Sequence, residues 1–196
     1  LLREVSHRSK NLLAIIQSIA TQTGRYSDSI GDFLTRFRGR LQSLASSQDL
    51  VTSSNWRGAA LRELVSGQVG RYGGDPVRSL RFQGANPYLN PNAALHIGLA
   101  MHELAVNSVS YGALSRPDGF VNVTANLTAA DTGTSLSLTW AEAIGASDVR
   151  RSEKRFGSVA LERVVPASLN GTATLEIAAG RLEYRLVVPH GNFETD

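Results

Sequence analysis

Apolar residues recur every third or fourth position through the first fifty residues: Val5, Leu12, Ile15, Ile16 and Ile19, then Leu34, Phe37, Leu41 and Leu44. That period places each set on one stripe of a helix. It predicts two amphipathic helices, over residues 1–24 and about 29–51, the first closed by Gly24. A short link between them makes an antiparallel hairpin. One apolar seam is too little to bury alone, so a second copy is expected to complete a four-helix bundle.

The pattern changes after residues 52–57 (TSSNWR), which read as a linker. GAALRELVSGQVGRY (58–72) predicts a third helix, closed by Gly73-Gly74, and VRSLRFQG (77–84) predicts a strand. A long helix is expected over 90–114, started by Asn90-Pro91. FVNVTANLTA and TSLSLTWAEA alternate apolar and polar residues around Ala-Asp-Thr-Gly, the pattern of an antiparallel hairpin. A helix follows at 157–169, its last turn limited or kinked by Pro166. A second hairpin is expected over 172–189, turning at Ala179-Gly180. The expected class is α+β: a helical hairpin over 1–52, then a mixed sheet with helices on one face over 53–196.

Composition narrows the function. The chain has 196 residues, no cysteine and a net charge of +3. Disulfides and thiolate metal sites are excluded, which fits a cytoplasmic protein. No apolar run approaches the length of a membrane span. The chain starts at Leu1, already in a helical pattern, and is expected to be the C-terminal part of a longer protein with its sensor upstream. Residues 1–50 hold seven Lys/Arg against four Asp/Glu, and residues 51–196 hold thirteen of each, so the whole excess lies in the hairpin. No Lys/Arg cluster is interleaved with aromatics, so a nucleic-acid partner is not expected. A basic hairpin facing an acidic protein surface fits better.

Four groups of residues carry candidate chemistry. His7, Lys10 and Asn11 share one helix face, turned away from most apolar positions. Such an imidazole is either an ordinary surface histidine or a nucleophile, with Glu4 able to hold Nδ1–H and Arg8 and Lys10 to neutralise an incoming phosphoryl group. In LAMHELAVNSVSYGAL, Glu103 and Asn107 lie one turn apart, with His102 and Tyr111 on the same helix. That pair suits Mg²⁺ and its waters beside a phosphate chain, though it is also common on half-buried helices. Trp140 and Glu142 share one strand face before Gly145; the carboxylate there suits a base's exocyclic amine, or the pair is a core indole with a surface acid. Gly157-Ser158 open a helix, where bare N–H groups favour phosphate. In this order the four suggest ATP-dependent phosphorylation of His7.

EVSHRSKNLLAIIQSIATQT, MHELAVNSVSYGAL, WAE, RFGS and QDLVTSSNWRGAALRELV together resemble the HWE family of bacterial sensor histidine kinases over essentially residues 3–190. His102, Trp140 and Glu142 correspond to the three residues that name it. The resemblance implies a dimerisation and phosphotransfer hairpin followed by a Bergerat-type ATP-binding α/β sandwich. It makes His7 the phosphoacceptor, Glu103 an aid to catalysis, Asn107 the Mg²⁺ ligand and Glu142 a residue of the base end. Gly157 and Ser158 fall in the second glycine box. ATP and Mg²⁺ are the implied cofactors, a homodimer the implied state, and a response-regulator receiver aspartate the implied acceptor.

The chain departs from the family at the nucleotide site. Ser110 stands for a Lys, Ile144-Gly145-Ala146 for Gly-Gly-Pro, and Arg155 for the first Gly of the second box. Arg155 is placed to replace the lost cation at the phosphates. Two readings remain open at this stage: an active autokinase, and a degenerate member that works as a phosphotransfer or docking module with little ATP binding.

Overall fold

The computed structural model describes residues 2–72, 74–145 and 157–195. The chain divides into two compact units, Leu1–Gln42 and Ser43–Asp196.

The first unit is α1 (Leu2–Tyr26) and the opening turns of α2 (Ile30–Ser53). Ser29 Oγ accepts the Asp32 N–H at 3.1 Å while the Asp32 carboxylate accepts the Asp28 N–H at 3.1 Å, a reciprocal cap that starts α2. Helix α1 runs past Gly24 to Tyr26, because the Ser27 hydroxyl takes the Thr23 carbonyl and satisfies the last turn. Arg40 is buried and donates to Thr23 Oγ1 at 2.7 Å, which in turn donates to the Ile19 carbonyl at 2.6 Å. That chain of bonds ties the two helices together where apolar burial is thin.

The second unit is built on a five-stranded sheet in the order β2-β4-β5-β7-β6. Its strands are β2 (Leu80–Gly84), β4 (Val121–Thr128), β5 (Ser135–Ala143), β6 (Thr172–Ala178) and β7 (Arg181–Val188). Only β2 and β4 run parallel; the rest pair antiparallel. Strands β1 (Ala59–Ala60), β3 (Tyr88–Leu89) and β8 (Phe193–Glu194) form a small separate sheet. Alternation buries one face of the large sheet: Val121 and Val123, Leu136, Leu138 and Trp140, then Leu182, Tyr184 and Leu186. Helices α3 (Leu61–Gly70) and α5 (Pro91–Tyr111) contribute Leu64, Val65, Ile97, Met101 and Leu104 to the same core.

Three elements of the second unit differ from the sequence pattern. The helix expected at 58–72 begins only at Leu61, since Ala59 and Ala60 pair with Leu89 and Tyr88 in the small sheet. The strand expected at 77–84 begins only at Leu80, since Asp75 accepts the Val77 N–H at 3.0 Å and Pro76 takes the first helical position of a short α4 (Pro76–Ser79). The helix expected at 157–169 is composite: an α turn (Gly157–Val159), a π turn (Ala160–Val164) and an α turn (Val165–Leu169), together α6. Pro166 explains it. The Val165 N–H bonds the Ala160 carbonyl, five residues back, so the Leu161 carbonyl loses its α-helical donor. Its next donor in the π register would be Pro166, which has no N–H. The buried Tyr184 hydroxyl fills the gap, donating to the Leu161 carbonyl at 2.7 Å. The β6–β7 hairpin turns at Ala179 (φ 50°) and Gly180 (φ 74°) as expected, both central residues being left-handed.

Candidate active site

Helix α5 starts at an Asn90 cap, whose Oδ1 accepts the Ala93 N–H at 2.8 Å. Its C-terminal turns carry Glu103, Asn107, Ser108 and Tyr111. Glu103 is buried, and Asn107, one turn later, is half-buried. The start of α6 closes on this pair. A Cβ added to Gly157 would lie 2.9 Å from Asn107 Nδ2 and 3.7 Å from Glu103 Oε2. The Gly157 backbone therefore abuts the amide and the carboxylate, and glycine is what permits the approach. Asn107, Tyr111, Glu142, Ile144 and Ser158 line one cavity here, with Leu104, Leu161, Leu175 and Leu182 as its apolar wall. Its free volume is about 30 Å³.

Glu142 joins this cavity from the end of β5 and is 5% exposed. Its Oε2 accepts the Ser108 hydroxyl and, at 3.1 Å, the Ala113 N–H. The Ser108 Oγ also accepts the Leu114 N–H at 3.1 Å. Glu142 and Ser108 thus cap the 3₁₀ turn (Ala113–Ser115) that follows α5. Gly112 makes room for them, since a Cβ there would sit 2.6 Å from Glu142 Oε2. Burial raises the carboxyl pKa above its usual range; the hydrogen bonds from Ser108 and Ala113, the nearby Trp140 N–H and the Arg116 charge pull it back. Trp140 Nε1–H lies near enough to favour the ionised carboxyl but not in hydrogen-bond geometry.

The remaining candidates fall in three places. Trp140 is fully buried, paired across the sheet with Val123 and Tyr184, so its place is in the core. His102 is buried on α5 with its ring edge-on to Tyr72, 5.3 Å between centroids, and is not among the cavity-lining residues. Gly145 follows Ile144 at the end of β5, where the Ile144 N–H donates to the Gly180 carbonyl at 2.8 Å. Arg155 and Ala146 lie outside the described residues. On α1, His7, Lys10 and Asn11 are exposed. Glu4 does not hold the imidazole: it pairs with Arg8 one turn on, and the His7 Nδ1 neighbour is Asn11 Nδ2 at 3.4 Å.

Ser108, Gly112 and the Leu161–Tyr184 bond were not singled out from the sequence. Ser108 bonds a residue 34 positions away, so no local spacing announces it. The one available signal was a hydroxyl beside Asn107 in an otherwise apolar helical segment. Among the described residues no group of three or more His, Asp or Glu forms a metal cage. A divalent ion here would take one or two protein ligands and complete its shell elsewhere, the habit of Mg²⁺ on nucleotides. Asn107 beside Glu103 fits that limited role.

Comparison with known proteins finds relatives in sequence and in fold. A sequence profile of the HWE histidine kinase family matches residues 4–86. A blue-light-activated histidine kinase of Brucella ovis is 28% identical over 187 residues, covering 95% of this chain and 38% of that protein. The chain therefore spans well under half of the curated relatives it matches. In fold it is similar to the blue-light activated histidine kinase of Erythrobacter litoralis, with TM-score 0.58, 20% identity, and coverage of 96% of this chain and 58% of that one. The separate histidine kinase domain of that protein gives 0.55 at 13% identity, over 92% and 94% of the two chains. Over residues 4–86 the chain is thus similar in sequence to HWE histidine kinases, and its helical region followed by a mixed α/β sheet is similar in fold to solved histidine kinases.

Proposed function

We propose that this chain is the kinase core of a two-component sensor, in which His7 takes the γ-phosphoryl group of Mg-ATP and passes it to an aspartate on a response-regulator receiver domain. The observation that carries the reading is the close approach of Gly157 to Asn107 and Glu103, beside a cavity that Glu142 also lines. Bound Mg-ATP would supply the phosphoryl group and the charge that screens it. Asn107 would hold the metal, Glu103 would act beside it, and Ser158 with the Gly157 backbone would meet the phosphates. Glu142 would accept the exocyclic amine of the base.

On α1, the imidazole needs one nitrogen held and the other bare. Asn11 supports this when its amide oxygen faces Nδ1–H, which leaves the Nε2 lone pair outward. In the transfer, Nε2 forms a bond to phosphorus as the bond to the β–γ bridging oxygen breaks and ADP leaves. Exposed His7 is reachable by both donor and acceptor, and Lys10 on the same face supplies positive charge. Residues 1–52 would serve as the dimerising hairpin. Leu2 (89% exposed), Ile30 (80%), Leu13 and Val5 are apolar positions in want of cover, which a second copy supplies. The sensor would lie outside this chain. No described helix is long and apolar enough to cross a membrane, in keeping with a cytoplasmic kinase core.

The test is incubation with γ-³²P-ATP and Mg²⁺. Acid-labile, base-stable label is expected on the wild type and absent from His7→Ala and Asn107→Ala. Label that survives in His7→Ala moves the acceptor elsewhere. A second reading, the degenerate phosphotransfer module, draws on Ile144: it lines a cavity whose 30 Å³ admits about one water. Under it, ATP shows no binding at millimolar concentration, and Ile144→Gly restores binding.

A further inference from the structure

The two ends of α6 do different work. Its C-terminal turn is pinned: Asn92 Nδ2 donates to the Ser168 carbonyl at 3.1 Å and Asn192 Nδ2 to the Leu169 carbonyl at 3.0 Å, with Val165 and Leu169 buried. Its N-terminal turn sets Gly157 against Asn107 and Ser158 in the cavity wall. Between them lies the π turn, Ala160–Val164. A π turn holds one residue more than the α turn it replaces. With one end pinned, that extra residue decides which residues the other end presents. A continuous α-helix ending at the same Val165 would set Ser158 where Gly157 stands. No side chain fits there, since a Cβ at Gly157 lies 2.9 Å from Asn107 Nδ2 and 3.7 Å from Glu103 Oε2.

A hydroxyl from outside the helix keeps the extra residue in place. Pro166 opens the turn but brings no N–H to the buried Leu161 carbonyl. Tyr184, on β7 and itself fully buried, donates to that carbonyl at 2.7 Å. Its cross-strand neighbours, Trp140 and Leu175, offer its hydroxyl no side-chain acceptor. Without the hydroxyl, the donor that the α register supplies is the Val165 N–H, and taking it closes the π turn. We infer that Tyr184 is a positioning residue for the phosphate end of the site: its hydroxyl holds the π turn that puts Gly157, rather than a residue with a side chain, against Asn107 and turns Ser158 into the cavity. This rests on the nucleotide reading given above.

The measurement is equilibrium binding of Mg-ATP, run as a double-mutant cycle between Tyr184→Phe and Ser158→Ala. Each single change is expected to weaken binding about tenfold, the ratio of one well-formed hydrogen bond. The double variant is expected to bind no more weakly than Tyr184→Phe alone, because Ser158 has already been turned out of place. Leu186→Ala, a second fully buried side chain of β7, is the control: it lowers the melting temperature and leaves ATP affinity as in wild type. A purely structural Tyr184 would lower the melting temperature and leave affinity unchanged, or would add its loss in full to that of Ser158→Ala; either result overturns the inference. So does an equal loss of affinity in Leu186→Ala. Wild-type affinity in Ser158→Ala overturns it too, while nucleotide binding stands. No ATP binding by wild type overturns the nucleotide reading itself, and this one with it.

Discussion

His7 and Glu142 are titratable groups handled in opposite ways by the two units. His7 stands exposed on α1, with neighbours drawn from its own helix within one turn: Asn11 at its Nδ1, and an Arg8–Glu4 pair beside it. Glu142 is 5% exposed and is held by α5, by the 3₁₀ turn after it and by its own strand, with its carboxyl pKa pushed up by burial. Under the function proposed above, the difference follows from what each would meet: a group that takes a phosphoryl group from ATP and gives it to another protein must be reachable from outside and costs the fold little, whereas a group that reads one small molecule must exclude water, and the fold bears the desolvation.

Four measurements break or sharpen this contrast. The largest effect is expected from Trp140→Ala, which empties a fully buried indole site in the sheet unit and should cost about 3–5 kcal/mol in urea unfolding. His7→Ala, on the exposed hairpin face, should stay within about 0.5 kcal/mol of wild type. Equal losses would erase the distinction. Next is Tyr184→Phe. It leaves the Leu161 carbonyl buried with neither an α nor a π donor, at a cost of about 1–3 kcal/mol, with no change at His7. An unchanged urea midpoint would mean that another donor reaches that carbonyl.

Third, Gly157→Ala places a Cβ 2.9 Å from Asn107 Nδ2. ATP affinity should fall about tenfold while the circular dichroism spectrum stays the same. Retained affinity would show that the amide has room to retreat. The smallest effect is the pH slope from Glu142. Its folded pKa is raised above the ordinary 4.5, so between the two values the native state keeps a proton that the unfolded chain has released. Stability from this group therefore falls as pH rises through that window, and the loss is constant above it. Glu142→Gln should flatten that part of the curve, read as urea midpoints at half-unit steps from pH 4.5 upward.

Legibility in the sequence divides along the same line. Helices α1, α2 and α5 were readable because their signals are local: apolar periodicity for α1 and α2, and the Asn90-Pro91 start for α5. Both long hairpins were readable from alternation. The candidate residues on α1 and α5 were named from spacing and family likeness, and the structure sets the Gly157 backbone beside Asn107 and Glu103. What was not readable depends on partners far along the chain. Tyr184 reaches Leu161 across 23 residues, and the π turn it completes is set by Pro166. Glu4 illustrates the limit even at short range. Its spacing allows either His7 or Arg8, and a full opposite charge one turn away takes it.

The burial of Trp140 has an optical consequence. The chain has two tryptophans: Trp56 is 42% exposed, and Trp140 is fully buried two residues from Glu142. A Trp56→Phe variant would leave all indole emission to Trp140, blue-shifted by its dry and rigid surroundings. The charge on the neighbouring carboxyl then sets the brightness of that emission. The protein carries its own fluorescent gauge of the Glu142 cavity, readable without label or radioactivity.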